Sequence, residues 1–143
     1  MEIVEIREVT VGLLVAVNEL LPQLSEASRP MSAADLMAVV AAETSRLFIA
    51  REQEKYYGML TLICFAAPTG RRARIEDLVV HEKARGKGVG RRLVSHAIDA
   101  AAAWGAQGVD LTSNPARRAA NRLYLQMGFE SRTTHVYRFT LPR

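Results

Sequence analysis

Residues 75–98 read IEDLVVHEKARGKGVGRRLVSHAI. The stretch changes character twice. An apolar run from Ile75 to Val80 gives way to a basic segment with Gly86, Gly88 and Gly90, and apolar residues at helical spacing follow from Val89. A short apolar run predicts a strand and a 3.6-residue period predicts a helix. The chain is therefore expected to leave a strand, turn on glycines and enter a helix. The first turn of a helix leaves backbone N–H groups unpaired, and the aligned peptide dipoles add partial positive charge there. Glycines carry no Cβ to keep a ligand away from those groups. Arg85 and Lys87 add full charges, so the junction suits an anion such as a pyrophosphate.

The surrounding charge points the same way. The formal net charge is +4, but residues 1–70 carry five Lys/Arg against nine Asp/Glu, and residues 71–143 carry fourteen against six. Lys83, Arg85, Lys87, Arg91 and Arg92 cluster beside a single opposing Glu82. Scattered arginines can form a merely solvated face; clustering favours an anion site. Two familiar phosphate patterns are excluded. No Lys-Ser/Thr follows the glycines, as a P-loop requires. The dinucleotide spacing G-x-G-x-x-G meets Arg91 or Leu93 at its last position. Four Phe, four Tyr and one Trp, with no interleaving of aromatic and basic residues, argue against a nucleic-acid partner.

Outward from the junction, EIVEIREV alternates as a first strand, and residues 10–22 carry helical spacing that Pro22 is expected to stop. A second helix follows from about Ser32. SRLFIARE and YYGMLTLICFA read as antiparallel strands joined by a polar turn, and RARIEDLVV as another strand. A helix is expected over 88–104, a short strand in GVDLTS, and a helix in NPARRAANRLYLQMG with Asn114 as cap, Pro115 in its first turn and Gly128 at its end. HVYRFTL reads as a closing strand. The order is β-α-α-β-β-β-α-β-α-β, an α/β (α+β) chain.

A chain of 143 residues is expected to be a single domain over 1–143. Cys64 is the one cysteine, which excludes an internal disulfide. The charged, alternating N-terminus does not read as a signal peptide. No uncharged apolar run reaches the length of a membrane span. A cytoplasmic location with no membrane partner is expected. No His/Cys cluster has metal-ligand spacing.

The spacing that fits the junction is R-x-x-G-x-G, from Arg85 to Gly90. It resembles the acetyl-coenzyme A loop of the GNAT superfamily, the GCN5-related N-acetyltransferases. A second block, NPARRAANRLYLQMGFE, resembles the family's A-N-x-L-Y-x-x-x-G-F pattern at Ala120, Asn121, Leu123, Tyr124, Gly128 and Phe129. The resemblance implies a mostly antiparallel mixed sheet flanked by helices and splayed between its fourth and fifth strands, with acetyl-CoA in the cleft. It implies that the backbone of Leu78, Val79 and Val80 pairs with the pantetheine arm. It also implies that Arg85, Gly86, Lys87, Gly88, Val89, Gly90 and Arg91 receive the pyrophosphate, and that Asn121 contacts the cofactor. The implied activity is transfer of an acetyl group from acetyl-CoA to a primary amine by direct attack in a ternary complex. The amine can belong to a small molecule or a peptide, and the family leaves a homodimer open. The alternative is a non-catalytic acetyl-CoA sensor.

Such a transfer needs a neutral amine, a stabilised oxyanion and a protonated leaving thiolate. Tyr124 is the candidate proton donor, placed by the motif on the edge of a stripe formed by Ala116, Ala119, Ala120, Leu123 and Met127; the alternative is a core tyrosine. Glu76 is the candidate base. Strand alternation is expected to set it beside Leu78 and Val80 and opposite Asp77; the alternative is a surface carboxylate paired with Arg72 or Arg74. The resemblance places the oxyanion at the N–H of Val79 or Leu78. Arg117 can reach phosphates or be solvated. Cys64 reads as a buried apolar residue.

Overall fold

Five strands carry half of the buried apolar residues in the computed structural model, which describes residues 1–142. They are β1 (Glu2–Glu5), β2 (Ser45–Glu52), β3 (Lys55–Ala67), β4 (Gly70–Val80) and β5 (Val109–Asp110), and they lie in the order β1-β2-β3-β4-β5. The first three pairings are antiparallel and β4–β5 is parallel, the mixed sheet expected above. Gln53 takes φ 56° in the tight turn between β2 and β3, the left-handed geometry that two-residue hairpins need. Gly70 opens β4 at φ 129°, where a Cβ would sit 2.7 Å from Gln107 Oε1.

Helix α1 (Val11–Leu24) starts at Thr10, whose hydroxyl accepts from the Leu13 N–H at 3.1 Å. It does not stop at Pro22 but runs on to Leu24. A proline in the last turn removes one N–H, and Ser25 N–H still reaches Leu21 O at 3.0 Å. Helix α2 (Ala33–Ala41) opens with a capping box between Ser32 and Asp35. The link between the two helices is pinned by Asn18, which accepts from Met31 N–H at 2.7 Å and donates to Met31 O at 3.0 Å. Leu13, Val17 and Leu20 of α1 and Leu36 of α2 form one buried cluster with Leu47, Ile49, Met59 and Val79 of the sheet.

Helix α3 (Val89–Trp104) covers the other face. A Cβ on Gly58 would stand 3.1 Å from Leu93 Cδ1 and 3.4 Å from Val89 Cγ1. Cross-strand register puts Gly58 opposite Ala50 and Leu60 opposite Phe48, so all four share this face. Phe48, Leu60, Leu62, Leu93, Val94 and Ala97 are wholly buried.

Strand β5 pairs with only Ala73 and Arg74 of β4. Among the described residues, β4 has no strand beside it on that side from Ile75 to Val80. This is the expected splay between the fourth and fifth strands.

Contacts divide the chain into two units, Met1–Thr112 and a second beginning at Ser113. In the second, α4 spans Arg118–Gln126. It begins later than the expected Pro115, because Asn114 caps a separate turn: its side chain accepts from Ala116 N–H at 2.9 Å and its carbonyl from Arg117 N–H at 3.0 Å. Gly128, at φ 100°, follows its end. The expected alanine stripe is not the buried face. Ala116 and Ala119 are exposed, and Tyr124 alone in the helix is buried. A large ring removes more apolar area from water than a methyl group can. The expected closing strand at 135–141 is not formed, and Val136, Tyr137, Phe139 and Leu141 are exposed. Among the described residues, 135–141 form no strand pairing.

Candidate active site at the β4–α3 junction

The anion seat follows from how β4 ends. A 3-10 turn over Glu82–Ala84 is capped by His81, whose Nδ1 accepts from Lys83 N–H at 3.1 Å. Arg85 folds back, and its Nε donates to Val80 O at 3.2 Å, which braces the loop across its neck. Gly86 and Gly88 take φ 77° and 78°, and a Cβ at either would meet nothing within 4 Å. The left-handed backbone favours glycine at both positions, and the space above each is open. Arg92 N–H donates to Gly88 O at 3.1 Å, the first rung of α3. The amides of Val89 and Gly90 precede that rung and have no intrahelical carbonyl to meet. Lys83, Lys87, Arg91 and Arg92 are exposed around them. Amide donors, cations and free volume together fit a diphosphate.

β4 itself departs from simple alternation. Thr61 lies opposite Glu76 but Met59 lies opposite Val79, so β4 carries one extra residue there. Asp77, at φ 53°, marks the bulge. Residues opposite one another share a face, so Glu76 shares its face with Val79, and the expected grouping with Leu78 and Val80 is corrected. Both Leu78 and Val79 are buried as a result. Glu76 Oε1 accepts from Arg74 Nε in an ion pair, and Arg74 Nη2 also lies 3.3 Å from Thr112 Oγ1.

Sequence reasoning missed Asp77. Although its surface is solvent-exposed, crowding by the protein holds its carboxyl above the usual aspartate range, and the neighbouring Glu76 charge adds to this. A bulge is set by long-range register, so no local pattern announces it.

In the second unit, Tyr124 is 6% exposed and its ring centroid lies 5.7 Å from that of Phe129. Burial raises its phenol above the ordinary value, opposed by the Arg117 charge. The phenol is therefore protonated at neutral pH and able to donate. Asn121 Nδ2 donates to Asn114 O at 3.0 Å, so this amide already holds the turn ahead of its helix.

Other candidates fall away. Cys64 is buried and its thiol is raised, first by burial, as an inert core sulfur would be. Among the described residues no group of three or more His, Cys, Asp or Glu can hold a metal ion. No helix among them is long and apolar enough to cross a membrane.

Comparison with known proteins places the fold. Solved structures of similar fold include an assigned acetyltransferase of Agrobacterium tumefaciens str. C58, at 25% identity and TM-score 0.86, covering 98% of this chain and 100% of that one. A transcriptional regulator from Bacillus halodurans C-125 is similar at 26% identity and TM-score 0.81, covering 97% and 100%. An aminoglycoside acetyltransferase, meta-AAC0020, from an uncultured soil metagenomic sample shares the fold at 19% identity and TM-score 0.85, covering 99% and 96%. No curated protein matches the chain by sequence. The model of the acetyltransferase (GNAT) family matches residues 14–129, and the chain belongs to that family.

Proposed function

We propose that the protein transfers an acetyl group from acetyl-CoA to a primary amine, as a single acetyltransferase domain over residues 1–143. The observation that carries the reading is the open, left-handed Gly86–Gly88 loop at the head of α3. The family match across residues 14–129 supports it.

In this reading the amides from Gly86 to Gly90 receive the diphosphate, with Lys87 and Arg91 beside it, while Arg85 braces the loop. The outer side of β4 at Leu78, Val79 and Val80 receives the pantetheine arm as an added strand. The amine nitrogen attacks the thioester carbonyl, forming a C–N bond as the C–S bond breaks. A backbone N–H of Val79 or Leu78 stabilises the oxyanion. The amine proton leaves to a carboxylate of β4, directly or through water. Asp77 joins Glu76 in that role: its raised affinity for a proton suits a base, whereas Glu76 must first part from Arg74. The leaving sulfur takes its proton from Tyr124. Asn121 contacts the cofactor beside the turn it stabilises.

The acceptor is a small-molecule or peptide amine. The aminoglycoside acetyltransferase of similar fold makes aminoglycosides one class to try. A homodimer belongs to the same reading: Val136, Tyr137, Phe139 and Leu141 are large and exposed along one short segment, which supports burial against a second copy. The test is an acceptor screen with acetyl-CoA that reports free thiol. Amine-dependent thiol release is expected. Tight CoA binding with no release from any amine favours the sensor alternative.

A further inference from the structure

We propose that helix α1 positions the phosphate-binding loop, through Glu19 and Gln23 acting on His81 and Glu82. The proposal rests on the cofactor reading above and adds to it the residues that fix the loop in place.

Gln23 Oε1 accepts from Glu82 N–H at 2.8 Å. The other end of the same amide, Nε2, donates to Glu19 O at 3.2 Å, which orients Gln23 for that contact. Glu19 Oε1 lies 2.8 Å from His81 Nε2. His81 Nδ1 is occupied as an acceptor by Lys83 N–H at 3.1 Å. A neutral imidazole carries one proton, so that proton is on Nε2 and is donated to Glu19. His81 is 7% exposed, and both of its ring nitrogens are satisfied, as burial requires.

The arrangement follows from sequence spacing. Glu19 and Gln23 are four apart and so lie on one face of α1. The apolar face of that helix, Leu13, Val17 and Leu20, is fixed in the core against the sheet, so the helix is a rigid wall. The main chain holds the same point from the other side, where His81 N–H donates to Tyr57 O at 2.8 Å. From there the chain passes through Ala84 and Arg85 into the two left-handed glycines. A loop rich in glycine has many conformations, and only those with converging amides hold a diphosphate. Apparent affinity falls with the fraction of the loop in that form. Glu19, Gln23 and His81 raise that fraction without touching the ligand, so they are positioning residues.

The test is CoA titration by calorimetry on three variants, with amide hydrogen exchange at Glu82 and Lys83 as a second readout. Glu19→Ala and Gln23→Ala each lose an acceptor. Glu19→Gln keeps one. The alanine variants are expected to bind CoA about three- to tenfold more weakly, the range for one lost hydrogen bond, with faster exchange at Glu82 or Lys83. Glu19→Gln is expected to stay within about twofold of the parent by the same reasoning. Thermal melts identify any variant that fails to fold, and exchange in the remaining alanine variant then decides. Alanine variants with parental affinity and parental exchange would overturn the proposal. A parent protein that binds no CoA would overturn the cofactor reading instead, so the two failures are distinguishable.

Discussion

Arg74 and Glu76 stand two apart on β4 and close an ion pair along one face of the strand, while the next residue, Asp77, turns through a left-handed bulge and stays out of it. Two adjacent carboxylates thus meet different surroundings. Glu76→Gln is expected to lower kcat by less than tenfold, and Asp77→Asn by more, on the order of 100-fold where proton removal limits the rate. Asparagine tolerates the left-handed conformation, so the fold is kept. The reverse ranking would return the base to Glu76.

Asp77 also makes a stability prediction. A carboxyl whose folded pKa is raised binds its proton more tightly when folded. Stability is therefore lost as pH rises from the ordinary aspartate range through the folded pKa. Asp77→Asn is expected to melt at a higher temperature than the parent at pH 7 and to show no advantage at pH 3. An unchanged difference across that range would contradict the raised pKa.

Glu5 behaves in the opposite sense. The hydrogen bond from Arg46, at 2.7 Å from Nη2 and 3.2 Å from Nε, holds its carboxyl below the usual range, against a smaller opposing effect of burial. Its contribution is present above the unfolded glutamate value and is lost as pH falls through the folded pKa. Glu5→Gln is expected to cost about 1 kcal/mol near neutrality, and the cost should vanish in acid denaturation series below pH 3.

Tyr124→Phe keeps the ring that packs near Phe129 and removes only the hydroxyl. Turnover is expected to fall on the order of 100-fold while CoA affinity stays near that of the parent. An unchanged rate would remove Tyr124 from proton delivery.

The exposed C-terminal segment yields a prediction about assembly. Replacing Tyr137 and Phe139 with serine is expected to convert a dimer to a monomer by light scattering, since their rings are largely uncovered in the single chain. A parent that is already monomeric at the concentrations of the assay would end the homodimer proposal.

Much of this fold is legible in local pattern. SRLFIARE predicts β2 residue for residue, and the glycine junction falls where β4 hands over to α3. What local pattern misses depends on distant partners. The bulge at Asp77 is visible only in register with Met59 and Thr61. Pro22 looks like a stop because its tolerance in a final turn depends on where the helix ends. Asn114 looks like the cap of α4 but serves the turn before it. HVYRFTL has the composition of a strand, and composition does not decide whether a segment pairs. Motif spacing points to Tyr124 and to the loop, whereas the tie from α1 to His81 joins residues 62 apart in sequence.

The central claim is that the Gly86–Gly88 loop binds the diphosphate of CoA, and Gly88→Glu tests it most directly. No neighbour opposes a Cβ at Gly88, so the cost to folding is that of a left-handed backbone, about 1–2 kcal/mol. The added carboxylate would occupy the anion seat with the wrong charge. Isothermal titration should show CoA binding to the parent and no measurable binding to a folded Gly88→Glu protein. Parental affinity in that variant would contradict the account.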